Sequence, residues 1–61
     1  MSENILKKYN DAIRTAYVIS NVLLNELAEI KASINNSAVK DELEHLTAKV
    51  MELDKRLPPL L

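Results

Sequence analysis

The sequence predicts an all-α protein that folds as an antiparallel two-helix hairpin. The chain of 61 residues contains no glycine, and its two prolines are adjacent at Pro58 and Pro59. Hairpin turns and glycine-dependent loops are therefore nearly excluded, and almost the whole chain is free to be helical. Apolar residues recur at alternating steps of three and four in two separate series, as they do in packed helices. Because the polar segment 35–37 separates the two series, we expect two helices joined by one turn.

The first predicted helix covers about residues 3–34. Ser2 offers a capping hydroxyl at its start, and Glu3 suits the positive end of the helix dipole. We assign the apolar series to the a and d positions of a heptad repeat, both expected to face the second helix. Position a is occupied by Leu6, Ile13, Ser20, Leu27 and Ile34, and position d by Tyr9, Ala16, Leu23 and Ile30.

The second predicted helix covers about residues 38–57. Asn36 or Ser37 can cap its start, and Pro58 with Pro59 ends it, which leaves residues 58–61 as a non-helical tail. Its heptad frame is out of phase with the first, with a at Leu43, Val50 and Leu57, and d at Val39, Leu46, Leu53 and Leu60. A turn at the phase break gives one hairpin domain over residues 1–61. The alternative is one continuous helix with a stutter near residue 36.

The predicted helices differ in length, which leaves part of the first without an intramolecular partner. At about 1.5 Å per residue, the first helix spans roughly 48 Å and the second roughly 30 Å. Folded back, the second would cover about residues 15–34 and leave the N-terminal arm bare. The first helix is also apolar over a wider sector, between residues 12 and 24, than one neighbouring helix requires. We therefore predict an intermolecular surface that consists of Ile5, Leu6, Tyr9, Ile13, Tyr17, Val18 and Val22.

A hairpin of this size needs something besides its own core to be stable, and the chain has no cysteine for a disulfide. We expect oligomerisation, either with itself as a homodimeric four-helix bundle or with another helical protein. The wide, uneven apolar surface of the first helix favours a different protein without deciding the matter. The predicted function is a non-enzymatic interaction module, such as a small subunit, adaptor or chaperone. Co-chaperones of type III secretion needle subunits are similar in size and hairpin shape.

The composition gives little support to catalysis, cofactor binding or a membrane role. We predict no catalytic residues, no cofactor and no metal, because a hairpin has little room for a concave site and Asp41 with His45 supplies only two ligands. The formal charge of −1 makes nucleic acid an improbable partner. The longest uncharged run, residues 15–25, is too short to cross a bilayer, and the chain begins without a secretory signal pattern. We expect a cytoplasmic protein.

Two resemblances suggest alternative functions. The run Met51-Glu52-Leu53-Asp54-Lys55 is similar to the Glu-Leu-Asp core of small two-helix phosphatases that act on sporulation response regulators. Those proteins have Ser-Gln before this core, where the present chain has Val50 and Met51. In architecture the chain also resembles the plasmid-encoded Rop repressors, dimeric four-helix bundles that bind RNA loops. A polar stripe on the first helix would serve that role: Lys7, Lys8, Asn10, Arg14, Asn21 and Asn25.

Overall fold

The computed structural model describes residues 3–61 and shows two helices packed as a hairpin. Helix α1 is Glu3–Ser33 and helix α2 is Ser37–Lys55. The predicted all-α hairpin is confirmed, and the break at residues 34–36 is incompatible with one continuous helix. Helix α2 ends two residues earlier than predicted, because the Arg56 and Leu57 amides bond to carbonyls three residues back in a tighter final turn. The predicted cap at Ser2 lies outside the described residues.

Asn36 forms the start of α2. It has an extended backbone, and its side-chain Oδ1 accepts hydrogen bonds from the amides of Ala38 at 3.0 Å and Val39 at 3.2 Å. These bonds satisfy two of the amides that a helix leaves free in its first turn. Among residues 3–61, no residue has a positive φ, so the turn is made without the left-handed conformation that asparagine tolerates.

Three contacts between distant residues fix the antiparallel register. The Lys31 ammonium lies 2.8 Å from the Glu44 carboxylate near the turn. The Tyr17 hydroxyl lies 3.4 Å from the carbonyl oxygen of Leu57, just after the end of α2. Asn10 pairs with the Leu61 backbone in both directions, as donor at 3.1 Å and as acceptor at 2.9 Å. After the tight turn at Arg56 and Leu57, the chain therefore continues alongside α1 as an extended tail, residues 58–61.

The tail changes the account of the N-terminal arm. Ile13 is buried, with 9% of its surface exposed, and Leu6 is half-buried. The prediction that these two residues lack an intramolecular partner is wrong. It considered only the length of α2, whereas the tail after α2 reaches several residues further along α1. An extended chain advances about 3.3 Å per residue, more than twice the rise of a helix. Ile5 and Tyr9 remain exposed.

The seam between the helices runs through positions a and e, not a and d. Position a supplies the apolar side chains that are buried among residues 3–61, namely Ile13, Leu27 and Val50. Position e supplies half-buried neighbours, Asn10, Tyr17 and Leu24 on α1, and Thr47 and Asp54 on α2. The d positions, by contrast, include exposed leucines on both helices. Two packed helices share one narrow seam. Because α1 is apolar on both sides of position a, either the d side or the e side can face the neighbouring helix, and here it is the e side.

Two polar residues, one from each helix, weaken the seam where they lie at the same height along the hairpin. Ser20 and Asp54 are both half-buried, and the Asp54 Oδ1 atom is inaccessible and has no hydrogen-bond partner. Asp54 therefore lies at the interface of the helices. A buried acceptor without a partner costs about 1–3 kcal/mol. With so few buried apolar side chains and this polar defect, the isolated hairpin has a thin core.

Candidate interaction surface

The d positions of the two helices form one continuous apolar face on the hairpin. In each helix, position d lies about 80° to one side of the a–e direction that points to the neighbour. Because the helices are antiparallel, that rotation brings both sets of d positions to the same side of the hairpin. We call this surface the apolar face, defined by the d residues Tyr9, Leu23 and Ile30 of α1 and Val39, Leu46 and Leu53 of α2, together with Ile19 at the neighbouring g position of α1.

The apolar face is uncovered along its whole length. Its side chains are exposed by 38% at Tyr9 to 61% at Ile19, with Leu53 at 60% and Leu46 at 47%. Leu60 and Leu61 of the tail are also exposed. A single exposed leucine on a protein surface is ordinary, but a contiguous row of large apolar side chains on two adjacent helices is typical of an interaction site.

The opposite face of the hairpin is mixed in character, with an exposed Met51 among polar and small side chains. It carries the ion pair between Lys31 and Glu44, beside a shallow depression that Ala28 and Met51 also line. The hydrogen bond from Lys31, together with its positive charge, lowers the pKa of the Glu44 carboxyl below its usual value. The two broad faces of the hairpin therefore differ, one carrying a row of large apolar side chains and the other an ion pair among small and polar residues.

Charged side chains flank the apolar face along its outer edges, at the g positions. Helix α2 presents Glu42, Lys49 and Arg56 along its edge, and α1 presents Glu26. The side chains of Glu26 and Lys49 are exposed and have no ion-pair partner among residues 3–61. Arg56, which caps the end of α2, donates instead to Glu52 at 2.7 Å. Glu42 is also without an ion-pair partner among these residues, so the edge carries unpaired charges of both signs, with Glu26 on α1 and Glu42 and Lys49 on α2.

The residues predicted as the interaction surface do not all lie together. Ile5 and Tyr9 are exposed and continue the apolar face towards the start of α1. Val18 and Val22 are exposed on the outer side of α1, away from α2. Three others take part in packing within the hairpin: buried Ile13, half-buried Leu6, and half-buried Tyr17, whose hydroxyl faces the Leu57 and Pro58 carbonyls.

Sequence reasoning missed the contribution of α2. It assigned Val39, Leu46 and Leu53 to the seam within the hairpin, whereas these side chains are exposed. One signal was present: Tyr17 and Leu24 at position e show that α1 has an apolar flank besides position d. On α2 the e positions include Thr47 and Asp54. Because both are polar, the sequence gave no reason to expect them to face α1. The a/d repeat therefore identified which positions of α2 are apolar, but not whether they face α1 or another molecule.

The side chains considered for metal binding or catalysis are either paired with other residues or too far apart to act together. Among residues 3–61, no three histidine, cysteine, aspartate or glutamate side chains lie close enough to hold a metal ion, so Asp41 and His45 gain no third ligand. The Glu52 carboxylate of the phosphatase-like run pairs with Arg56 at 2.7 Å, and Val50 beside it is buried in the seam.

The polar stripe on α1 carries its own counter-ion. Asp11 lies between Lys7 and Arg14 and contacts both, at 3.4 Å and 3.5 Å. Asn10 is engaged with the Leu61 backbone. A stripe in which two of the three cations share an internal carboxylate has a weaker field for attracting phosphates than the basic residues alone would give.

Comparisons with known proteins do not relate this chain to a family. No protein-family model matches the chain, and no curated protein or solved structure matches it significantly. Neither described helix has an apolar stretch long enough to cross a bilayer.

Proposed function

We propose that this chain is a non-enzymatic helical interaction module, a small subunit, adaptor or chaperone, that binds other helices through its apolar face. The observation that carries the proposal is the uncovered row of d-position side chains on both helices. Helices of a partner packed against this row would complete a helical bundle by coiled-coil-like packing.

The energetics favour this reading. Burying one large apolar side chain contributes roughly 1.5–3 kcal/mol, and the apolar face offers several of them. The hairpin alone buries only Ile13, Leu27 and Val50 among its described apolar side chains, which is a small core for its length. A partner that binds the folded hairpin also stabilises it, since binding to the folded state alone shifts the folding equilibrium. A cysteine-free module of this kind is compatible with the reducing cytoplasm, where we place it.

Site-specific photo-crosslinking in the producing cells tests the proposal. A photoreactive residue at Leu53, on the apolar face, is expected to give defined intermolecular adducts. The same residue at Lys55 serves as the control, because that position is two residues away on the outer side of α2 and exposed. The mass of each adduct distinguishes a second copy of the chain from a different protein. Equal adduct yields from the two positions would overturn the proposal.

A further inference from the structure

We propose that the occupant of the apolar face is a second copy of this chain, related by a two-fold axis that runs parallel to the helices. In this dimer, α1 of one protomer packs against α2 of its partner, and all neighbouring helices are antiparallel. The inference rests on the proposed function, because it names the molecule that covers the same apolar face.

The size of the face suits a dimer. The hairpin measures 52 × 17 × 10 Å, and the apolar side is one of its two broad sides. A contact over the 52 × 17 Å side would have a footprint of about 880 Å², close to the roughly 800 Å² that each partner contributes to a standard stable interface. A partner of the same length as the chain itself is therefore sufficient to cover the face.

The register within the hairpin places the apolar residues of one protomer over those of the other. A rotation about an axis parallel to the helices leaves every residue at its own height. The Lys31–Glu44 ion pair sets these heights. Counting from it, Ile30 is level with Leu46, and Leu23 with Leu53, to within one residue or about 1.5 Å. Leu23 and Ile30 of α1 would therefore each meet an apolar d position of the partner's α2.

The charges on the edges are complementary in the same arrangement. Glu26 lies five residues before Lys31, and Lys49 lies five residues after Glu44, so the two are at the same height. Within one hairpin they stand on opposite outer edges and cannot meet. The two-fold rotation brings Lys49 of the partner alongside Glu26, twice in each dimer. Both side chains are unpaired in the isolated hairpin, so the contact satisfies charges that have no other partner among the described residues.

The remaining edge positions create no like-charged pair. By the same count Ser33 is level with Glu42, and Ile19 is level with Arg56, whose aliphatic stem can lie along the exposed isoleucine. A dimer that placed α1 on α1 would not bring Glu26 near Lys49. The edge charges therefore favour the arrangement of α1 against α2, and they provide a means to test it.

Charge reversal in the full-length chain tests the proposal. Glu26→Lys or Lys49→Glu replaces two attractive contacts by two repulsive ones, so each variant alone is expected to weaken the dimer about tenfold at low salt. Mixing the two variants restores opposite charges at both contacts, and the mixture is expected to form a heterodimer of about wild-type affinity. The double variant Glu26→Lys with Lys49→Glu should also recover. Association is measured by sedimentation equilibrium, with helicity followed by circular dichroism.

The control is the pair Asn25→Lys and Lys55→Glu, which alters the charge at exposed positions away from the proposed contact and should leave the affinity of the dimer unchanged, alone or mixed. A dimer whose variants are not rescued by mixing would overturn the arrangement of α1 against α2. A chain that stays monomeric at all concentrations would overturn the second copy as occupant. Adducts from Leu53 with a different protein would then leave the proposed function standing, whereas their absence would remove both.

Discussion

Replacing Leu46 with aspartate is expected to abolish assembly. Leu46 lies near the middle of the apolar face and is 47% exposed in the isolated hairpin. In an assembled bundle the new carboxylate would be enclosed among apolar side chains without a partner, which costs several kcal/mol. We expect the dissociation constant of the dimer to rise at least a hundredfold, since a symmetric dimer contains the substitution twice. Sedimentation equilibrium over a wide concentration range measures this change.

Ala48→Asp is the matched control for this prediction. It introduces the same side chain two residues later in α2, at an exposed position remote from the apolar face. Both substitutions lower helix propensity, so a general weakening of α2 would appear in both variants. Only Leu46→Asp should lose association. Equal dissociation constants for the two variants would show that the apolar face is not the interface.

The second large effect is expected inside the hairpin, at Leu27. This residue is 5% exposed and is the most completely buried of the apolar side chains described here. Leu27→Ala alone should cost about 2–5 kcal/mol. Leu27→Asp adds the penalty of a buried charge without a partner and should unfold the chain, because a protein of this length has a total stability of only about 3–9 kcal/mol. Helicity measured by circular dichroism at a range of temperatures should show no cooperative transition.

Ala32→Asp provides the comparison in the same helix, at an exposed position five residues further along. It should retain the helicity of the parent chain and a cooperative thermal transition, with a change in the free energy of unfolding of about 0.5 kcal/mol. The account of the core would be contradicted if Leu27→Asp unfolded at the same temperature as Ala32→Asp.

The fold could be predicted from the sequence because its signals are local and agree with one another. The absence of glycine, the heptad spacing, the Asn35-Asn36-Ser37 break and the adjacent prolines all act within a few residues. Helix boundaries were correct to within two residues, and Asn36 was one of the two capping residues foreseen. The early end of α2 depended on the tighter turn before Pro58, a detail that spacing alone does not specify.

The seam and the tail could not be predicted in the same way, because both depend on contacts between distant residues. Asn10 gave no sign in the sequence that it would pair with the Leu61 backbone. Heptad positions a and d mark which residues are apolar, but whether d faces the neighbouring helix or another molecule depends on how far each helix rotates. In this hairpin the rotation turns Tyr17 and Leu24 inward and leaves Leu46 and Leu53 outward.

The central claim is that the apolar face is an interface between molecules. Its most direct test is sedimentation equilibrium of the purified chain, with the helicity of the same samples followed by circular dichroism. We predict a highly helical dimer that dissociates on dilution and loses helicity as it does so, because the thin core of the hairpin depends on its partner. A stable, fully helical monomer, with a thermal transition independent of concentration, would contradict the account.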